Sequence, residues 1–312
     1  MTAEGHGQAF GITCVILTYN EETHIERAIA SVRGVADDIL VIDSFSTDRT
    51  VTLAQAAGAR VLQHAFVNHA AQFNWGLDNG DIRTSWIFRL DADEYIGADL
   101  ASRMRDELAA MPSDVAGVLL SRRHIWMGRW VRHGGRYPLH MLRIWRNGQG
   151  RVENRWMDEH VIVEGGRTVH MQGEFADACE RDITFFVTKH NGYATREAFE
   201  VLNTNYGLIT LGAEDSDKLS RQAKMKRFIK KNIYSRIPFG IGPIFYFLFR
   251  YIVQLGFLDG RSGFIYHFMQ GLWYRLLVES KVYEFELSLK DCPDNAARIA
   301  RLQDLTGLRF MA

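Results

Sequence analysis

Short apolar runs recur along the first hundred residues, and segments with helical spacing separate them. The runs have the length of strands and lie at 12–17, 38–42, 60–63 and 86–90. After the first run, apolar residues recur as on one face of a helix, at Ile25, Ala28, Ile29 and Val32. Regular alternation of strands and helices predicts an α/β fold in which right-handed crossovers join parallel strands.

Polar residues follow three of these runs, at 18–22, 43–50 and 91–94. Parallel strands end at one edge of a sheet, and open α/β sheets bind ligands outside the carboxyl ends of their strands. Neither Gly-x-Gly-x-x-Gly nor Gly-x-x-x-x-Gly-Lys-Ser/Thr follows the first run. We therefore expect a ligand site at this edge that has no glycine cradle for phosphate.

The segment Leu90-Asp91-Ala-Asp93-Glu94 carries three carboxylates in four residues. In extended backbone, residues two apart point the same way, so we expect Asp91 and Asp93 on one side. A divalent cation would remove the repulsion between them and neutralise a bound diphosphate. The alternative is an acidic loop that leads into a helix capped by Asp99.

Composition narrows the class of partner. The 37 basic and 37 acidic residues cancel, which argues against a nucleic-acid partner. Three cysteines lie far apart and have no metal-type spacing, which fits a reducing compartment. The first eight residues lack the basic and apolar regions of a signal peptide, so we expect a cytosolic catalytic part.

The middle of the chain offers a candidate base. Asp158, Glu159 and His160 immediately precede a β-branched run, and a carboxylate there could take a proton from an acceptor hydroxyl. We favour Glu159, with Asp158 as the alternative, over a surface turn without chemistry. The arginine-rich stretch 121–136 suits an anionic partner, or is simply solvated. A strand is predicted at 183–187, before Lys189-His190-Asn191.

The last third is basic and then apolar. Seven Lys or Arg residues and no acid occur between 221 and 236. Two aromatic-rich amphipathic segments follow, at 237–258 and 264–283, each with one polar stripe. This pattern predicts an element that lies on an anionic membrane surface. A helical hairpin packed on the catalytic domain is the alternative.

The segments Thr18-Tyr-Asn-Glu, Val41-Ile-Asp-Ser-x-Ser-x-Asp and Leu90-Asp-Ala-Asp-Glu resemble the family 2 glycosyltransferases of GT-A fold. The likeness covers about residues 10–260. It implies a Rossmann-like, mostly parallel sheet flanked by helices, followed here by a C-terminal helical membrane-associating region. Gln72-Phe-Asn-Trp-Gly stands where the family more often has Arg-Asn-x-Gly. Lys189-His-Asn-Gly-Tyr is similar to the branch that builds the lipopolysaccharide core.

The resemblance also implies roles for named residues. The nucleotide-sugar donor would be held by Thr18, Asn20, Glu21, Asp43, Asn74 and Asp91. Mg²⁺ or Mn²⁺ would be bound by Asp91 and Asp93, with His190 as a further candidate that is more often structural when it stands alone. The base would be Glu159 or Asp158. While the metal stabilises the departing diphosphate, the base activates the acceptor hydroxyl.

The resulting hypothesis is an inverting, metal-dependent transfer of a hexose, with a UDP-sugar as expected donor. The acceptor would be lipid-linked or of lipopolysaccharide-core type, at the cytoplasmic face of the inner membrane. The predicted regions are a tail (1–9), a catalytic domain (10–212, divided at 110), a membrane-associating region (213–290) and a second tail (291–312). Two alternative functions are a sugar-phosphate nucleotidyltransferase and a non-catalytic membrane-bound adaptor. A nucleotidyltransferase needs a glycine-rich, basic loop after the first strand, whereas residues 18–22 of this chain are acidic.

Overall fold

The computed structural model describes residues 10–153, 160–209 and 238–308. These fall into two compact units, which meet in the chain between Glu180 and Arg181. Some predicted features lie wholly or partly outside the described residues: the candidate bases Asp158 and Glu159, the basic run 221–236, and the tails 1–9 and 291–312. The predicted domain boundaries stay predictions.

The first unit has the predicted alternation of strands and helices. Its helices are α1 (Ile25–Val32), α2 (Thr50–Ala56), α3 (His69–Asn79) and α4 (Ala98–Ala109). Its strands are β1 (Ile12–Thr18), β2 (Asp38–Asp43), β3 (Arg60–Gln63), β4 (Trp86–Asp91), β5 (Glu94–Ile96), β6 (Val115–Trp126), β7 (Arg129–Trp130), β8 (Leu139–Arg146), β9 (Gly150–Val152), β10 (Val161–Val163) and β11 (Arg167–Asp177). The four apolar runs are therefore strands, and the α/β class is confirmed.

The main sheet runs in the order β3-β2-β1-β4-β8-β6-β11-β5, and β7 pairs with β6. The first four strands are parallel, as predicted. Beyond them the sheet is mixed, since β8 is antiparallel to both β4 and β6. The register sets Thr18 opposite Asp43 and Leu17 opposite Asp91, so the three polar segments do begin at one edge.

Alternation along β4 separates the two faces of the sheet. Trp86, Phe88 and Leu90 are buried in the larger core, where α1 and α4 pack. Ile87 joins the smaller core on the other face, with Phe73 of α3 and Trp145 of β8. Arg89 and Asp91 share the face of Ile87, because side chains of a strand alternate.

The second unit is helical. Its elements are α5 (Ile183–Tyr206), α6 (Ile241–Leu248), a π-helix (Phe249–Val253), a 3₁₀ turn (Gly256–Asp259), α7 (Gly260–His267), a second π-helix (Phe268–Trp273), α8 (Tyr274–Leu289) and α9 (Asn295–Thr306). The strand predicted at 183–187 is wrong, because these residues form the first turns of α5. The Asp182 side chain caps that helix by accepting from the Phe185 amide at 2.8 Å, and burial of Ala198 and Leu202 further along α5 favours the helix over local β-propensity.

Polar stripes of the second unit face inward and apolar residues face outward. Arg250 is 4% exposed, and its guanidinium lies over the rings of Tyr246 and Tyr266. Several large apolar side chains of 238–268 are half or more exposed, among them Phe245 (67%) and Val253 (66%). Among the described helices, none alone is long and apolar enough to cross a membrane. The pair 241–253 and 256–289, bent by 73°, reaches that length and composition together.

Candidate functional site

The loops that follow β1 and β2 are bonded to each other. Asn20, at φ +54°, accepts from the Thr47 amide at 2.8 Å through its side-chain oxygen. Its own amide donates to the Ser46 hydroxyl at 2.8 Å, and the Glu21 amide donates to the Thr50 hydroxyl at 2.7 Å. Two predicted donor-binding residues, Asn20 and Glu21, therefore fix the shape of this edge. Their contact with a donor stays a prediction.

Asp43 is completely buried at the end of β2. One of its carboxylate oxygens accepts from the Ser46 amide at 2.9 Å and from the Gln63 side chain at 3.0 Å. The other accepts from the Ser46 hydroxyl. Asp43 thus holds the loop after β2 in place, and its predicted bond to a nucleotide base stays a prediction.

Thr18, at the end of β1, has a hydroxyl with unused bonding capacity. The residue is 5% exposed, and its Oγ1 has no hydrogen-bond partner among the described residues. Leaving a buried polar atom unpaired costs about 1–3 kcal/mol. A ligand or water at the sheet edge would remove that cost, which agrees with the predicted role of Thr18.

The three carboxylates after β4 do not lie on one extended strand. β4 ends at Asp91, and residues 92 and 93 form a turn into β5. The expected extended backbone from Asp91 to Asp93 is therefore wrong, whereas the predicted pairing of their side chains at a metal stays a prediction. Glu94 turns inward: it is 2% exposed, and its carboxylate accepts from the Asp91 amide at 2.9 Å. The Asp91 side chain stays 39% exposed at the rim.

Two arginines that the sequence prediction passed over flank Asp91. Arg89 Nε lies 3.5 Å from Asp91 Oδ1, and Arg143 Nη2 lies 3.5 Å from Oδ2. Arg143 is also 2.5 Å from Glu94 and 3% exposed. Burial raises the pKa of Asp91, but the charges of Arg143 and Arg89 outweigh burial and hold that pKa below its usual range. Asp91 is therefore ionised at neutral pH.

The polar network continues along the sheet edge. Asp177, opposite Glu94 in the β5–β11 register, accepts from His124 Nδ1 at 3.0 Å and lies 3.5 Å from Arg122. Burial raises the pKa of Asp177, and the nearby His124 and Arg122 lower it further than burial raises it. The sequence signal for this network was present, since arginine within a buried strand requires a partner.

The side-chain amide of Asn74 in α3 makes two hydrogen bonds to the backbone of Val152. Its oxygen accepts from the Val152 amide at 3.0 Å, and its nitrogen donates to the Val152 carbonyl at 2.8 Å. It thereby ties β9 to α3, and its predicted donor contact stays a prediction. The Glu153 amide donates to the His160 carbonyl at 2.8 Å, and the candidate bases Asp158 and Glu159 lie outside the described residues.

His190 lies inside α5 in the second unit. Its Nδ1 is 2.8 Å from the Phe186 carbonyl, and its Nε2 is 2.7 Å from the Gln270 amide nitrogen. Burial lowers the pKa of His190 to about 4. The ring is therefore neutral at pH 7, donating from Nδ1 and accepting at Nε2. With both nitrogens bonded it packs α5 in this structure, while its predicted role at the metal stays a prediction.

His190→Gln is expected to make unfolding less dependent on pH. The pKa of about 4 is below the unfolded value of 6.5, so between pH 6.5 and 4 the unfolded chain binds more protons. Stability from the neutral ring is complete above pH 6.5 and falls as the pH falls towards 4. Urea unfolding at pH 7.0, 5.5 and 4.5 measures this. An equal pH slope in wild type and variant would contradict the assignment.

Comparison with known proteins places this site in a family. The profile described as Glycosyl transferase family 2 matches residues 13–202. An uncharacterized glycosyltransferase of Rickettsia bellii is 37% identical over 103 residues, 33% of this chain and 34% of the relative. One from Rickettsia felis is 35% identical over 97 residues, 31% of this chain and 32% of the relative. The chain thus spans about a third of the length of these curated relatives.

Among solved structures, glucosyl-3-phosphoglycerate synthase from Mycobacterium tuberculosis with Mn²⁺, UDP and glucosyl-3-phosphoglycerate is 23% identical. That match covers 37% of this chain and 44% of the other, with a TM-score of 0.31.

Proposed function

This chain belongs to glycosyl transferase family 2, and we propose from this premise that it transfers a hexose from a nucleotide diphosphate sugar, with a UDP-sugar as expected donor. The observation that carries the proposal is the rim carboxylate of Asp91. It is ionised, partly exposed, and set at the edge where the loops after β1 and β2 are bonded together. Ligands bind at this edge in open α/β sheets.

Residues at the rim fit a hard dication such as Mg²⁺ or Mn²⁺. Asp91 supplies an ionised oxygen ligand, and Asp93 follows in the same turn. The described residues contain no group of three or more His, Cys, Asp or Glu side chains placed to bind a metal ion. Mg²⁺ is usually held by one or two carboxylates together with substrate phosphates and waters. When bound, the ion would stabilise negative charge on the departing diphosphate.

Side chains of the protein would orient Asp91, contact the donor and take the proton from the acceptor. Arg89 and Arg143 keep Asp91 ionised and oriented, with Arg143 braced against the buried Glu94. The unpaired Thr18 hydroxyl supports a contact with the donor. Glu159, or Asp158, is proposed as the base that takes the proton from the acceptor hydroxyl. The hydroxyl oxygen would bond to the anomeric carbon as the bond from that carbon to the diphosphate breaks, and this single displacement would invert the configuration.

A panel of nucleotide diphosphate sugars tests the activity. The purified chain is incubated with each sugar, with Mn²⁺ or with EDTA, and release of the nucleoside diphosphate is followed. We expect one donor class to be turned over, and only with metal. Turnover of no sugar nucleotide, or equal turnover in EDTA, would contradict the proposal.

We further propose a lipid-linked or lipopolysaccharide-core type acceptor at the cytoplasmic face of the inner membrane. Support comes from the exposed apolar side chains of 238–268, which lie just after the basic run of the sequence. The hydrocarbon of a bilayer would cover the exposed apolar side chains, and its anionic headgroups would attract the basic run. An acceptor held on lipid would explain why the enzyme docks there.

Phe245→Glu combined with Val253→Glu is expected to lower membrane binding by about tenfold or more, because both side chains would lie against hydrocarbon. Flotation with vesicles of phosphatidylglycerol and phosphatidylethanolamine measures the bound fraction. The control is Leu305→Glu, which makes the same kind of apolar-to-acidic change at a 45%-exposed position of α9. Its vesicle-bound fraction should equal that of wild type. Unchanged flotation of the double variant would refute this mode of docking.

A further inference from the structure

The face of the sheet that carries Asp91 continues onto β6 and β8 as an exposed polar surface. In the sheet register, Trp145 of β8 is opposite both Ile87 of β4 and Gly117 of β6. These three residues therefore lie on the same face of the sheet. Alternation then sets Ser121 and Arg123 on the same face as Asp91. Since β6 is two strands away from β4, this surface lies about 10 Å from the rim carboxylate in the plane of the sheet.

We define the polar shelf by the residues that share this surface or stack on it. They are Ser121, Arg123, Trp130, Arg132, His140 and His170. The rings of His140 and His170 are 4.3 Å apart, and each presents a nitrogen 3.2 Å from the Ser121 hydroxyl. Both histidines are exposed. The shelf is therefore rich in hydrogen-bonding groups and open to solvent.

An aromatic ring with two cations near it forms the outer part of the shelf. The guanidinium carbons of Arg132 and Arg123 lie 5.0 Å and 5.7 Å from the centre of the Trp130 ring. Tyr137 packs edge-on against the same ring at 4.9 Å. A flat aromatic ring suits the apolar face of a sugar, and arginine forks suit a phosphate or carboxylate.

The positive charge of the shelf is only partly neutralised by its neighbours. Glu174 is the carboxylate next to Arg123, but the closest oxygen is 3.8 Å from Nη1, beyond hydrogen-bond length. Glu174 also bonds with the Tyr137 hydroxyl, which raises the Tyr137 pKa. The Arg123 Nε and Trp130 Nε1 atoms are buried donors with no hydrogen-bond partner among the described residues. An acceptor-rich anion would satisfy these donors.

We propose that the polar shelf binds the acceptor of the transfer and that this acceptor is a saccharide carrying a phosphate group. The phosphate bonds to the guanidinium groups of Arg123 and Arg132, and the sugar stacks on the Trp130 ring beside them. This inference rests on the proposed function, since it assigns the second substrate of the same site. It also gives Arg123 and Arg132 a task other than solvation.

Saturation-transfer NMR with defined probes tests the assignment. The chain is first loaded with Mg²⁺ and UDP, so that phosphate cannot bind at the donor site. Glucose, glucuronate, glucose 1-phosphate and glucose 6-phosphate are then titrated separately. We expect a phosphorylated probe to bind about tenfold or more tightly than glucose, because charge-assisted bonds to arginine add to stacking. The tighter of the two phosphates shows whether the group is on the linkage carbon or elsewhere on the sugar.

Matched variants assign the binding to the shelf. Arg123→Gln with Arg132→Gln should remove the preference for phosphate, whereas Arg129→Gln, the exposed neighbour in β7, should keep it. Equal binding of glucose and its phosphates would overturn the inference. So would glucuronate binding as tightly as the phosphates, or an unchanged preference in the double variant. Failure of Mg²⁺ and UDP to bind at all would instead count against the proposed function.

Discussion

Asp91→Asn is expected to lower kcat/KM by about 10³-fold, the largest effect of any single substitution at the site. The change removes one negative charge at the position that would hold a dication against the donor diphosphate, and electrostatic groups of this kind contribute about 10²–10³-fold or more. Stability should hardly change, because Glu94 keeps Arg143 paired and the Asp91 amide keeps its bond to Glu94.

The measurement is nucleoside diphosphate release by wild type and variant at matched, saturating Mn²⁺. Asp99→Asn is the control, since the Asp99 side chain is 85% exposed on α4. We expect the control to keep full activity, and thermal melts to show that both variants are folded. A variant at position 91 with more than a tenth of wild-type activity would remove Asp91 from the site.

Arg143→Met is expected to destabilise the first unit by about 3–5 kcal/mol. The substitution leaves Glu94 buried without its cation, and an uncompensated buried charge has that cost. Burial raises the pKa of Glu94 well above its usual value, and the positive charge of Arg143 only partly opposes this rise. Without Arg143 the folded state would hold the Glu94 proton to still higher pH. The loss should therefore be small near pH 5 and grow as the pH rises to 7.

Urea unfolding at pH 5 and pH 7 measures both the loss and its pH dependence. The double variant Arg143→Met with Glu94→Gln removes the buried charge and should recover most of the stability. Arg151→Gln breaks the exposed pair with Asp78 and should cost no more than about 1 kcal/mol. An Arg143 variant as stable as the Arg151 variant would show that the buried pair contributes little.

Local pattern sufficed for the donor half of the fold. The four apolar runs became β1 to β4 because consecutive buried residues in short runs have few alternatives in a parallel sheet. Their shared edge followed from the topology, which is why Thr18, Asp43 and Asp91 were predicted to meet before any coordinates. The inward polar stripes of the second unit were visible in the same way, as four-residue spacing in the sequence.

Long-range contacts explain what the sequence did not reveal. Arg143 reaches Asp91 and Glu94 because β8 enters the sheet antiparallel beside β4 and shifts its register against β6, and neither feature leaves a local signal. The turn at residues 92 and 93 depends on Glu94 bonding back to the Asp91 amide. Residues 183–187 are β-branched and aromatic, and a cap at Asp182 together with distant packing determined their helical state.

The most direct test of the metal-bridged donor site is calorimetric titration of UDP into the chain. It is carried out with Mn²⁺ and with EDTA, for wild type and for Asp91→Asn. We expect wild type to bind UDP only when Mn²⁺ is present, and the variant to bind UDP weakly whether or not Mn²⁺ is present. Tight binding of UDP in EDTA, or an undiminished effect of Mn²⁺ in the variant, would contradict this expectation.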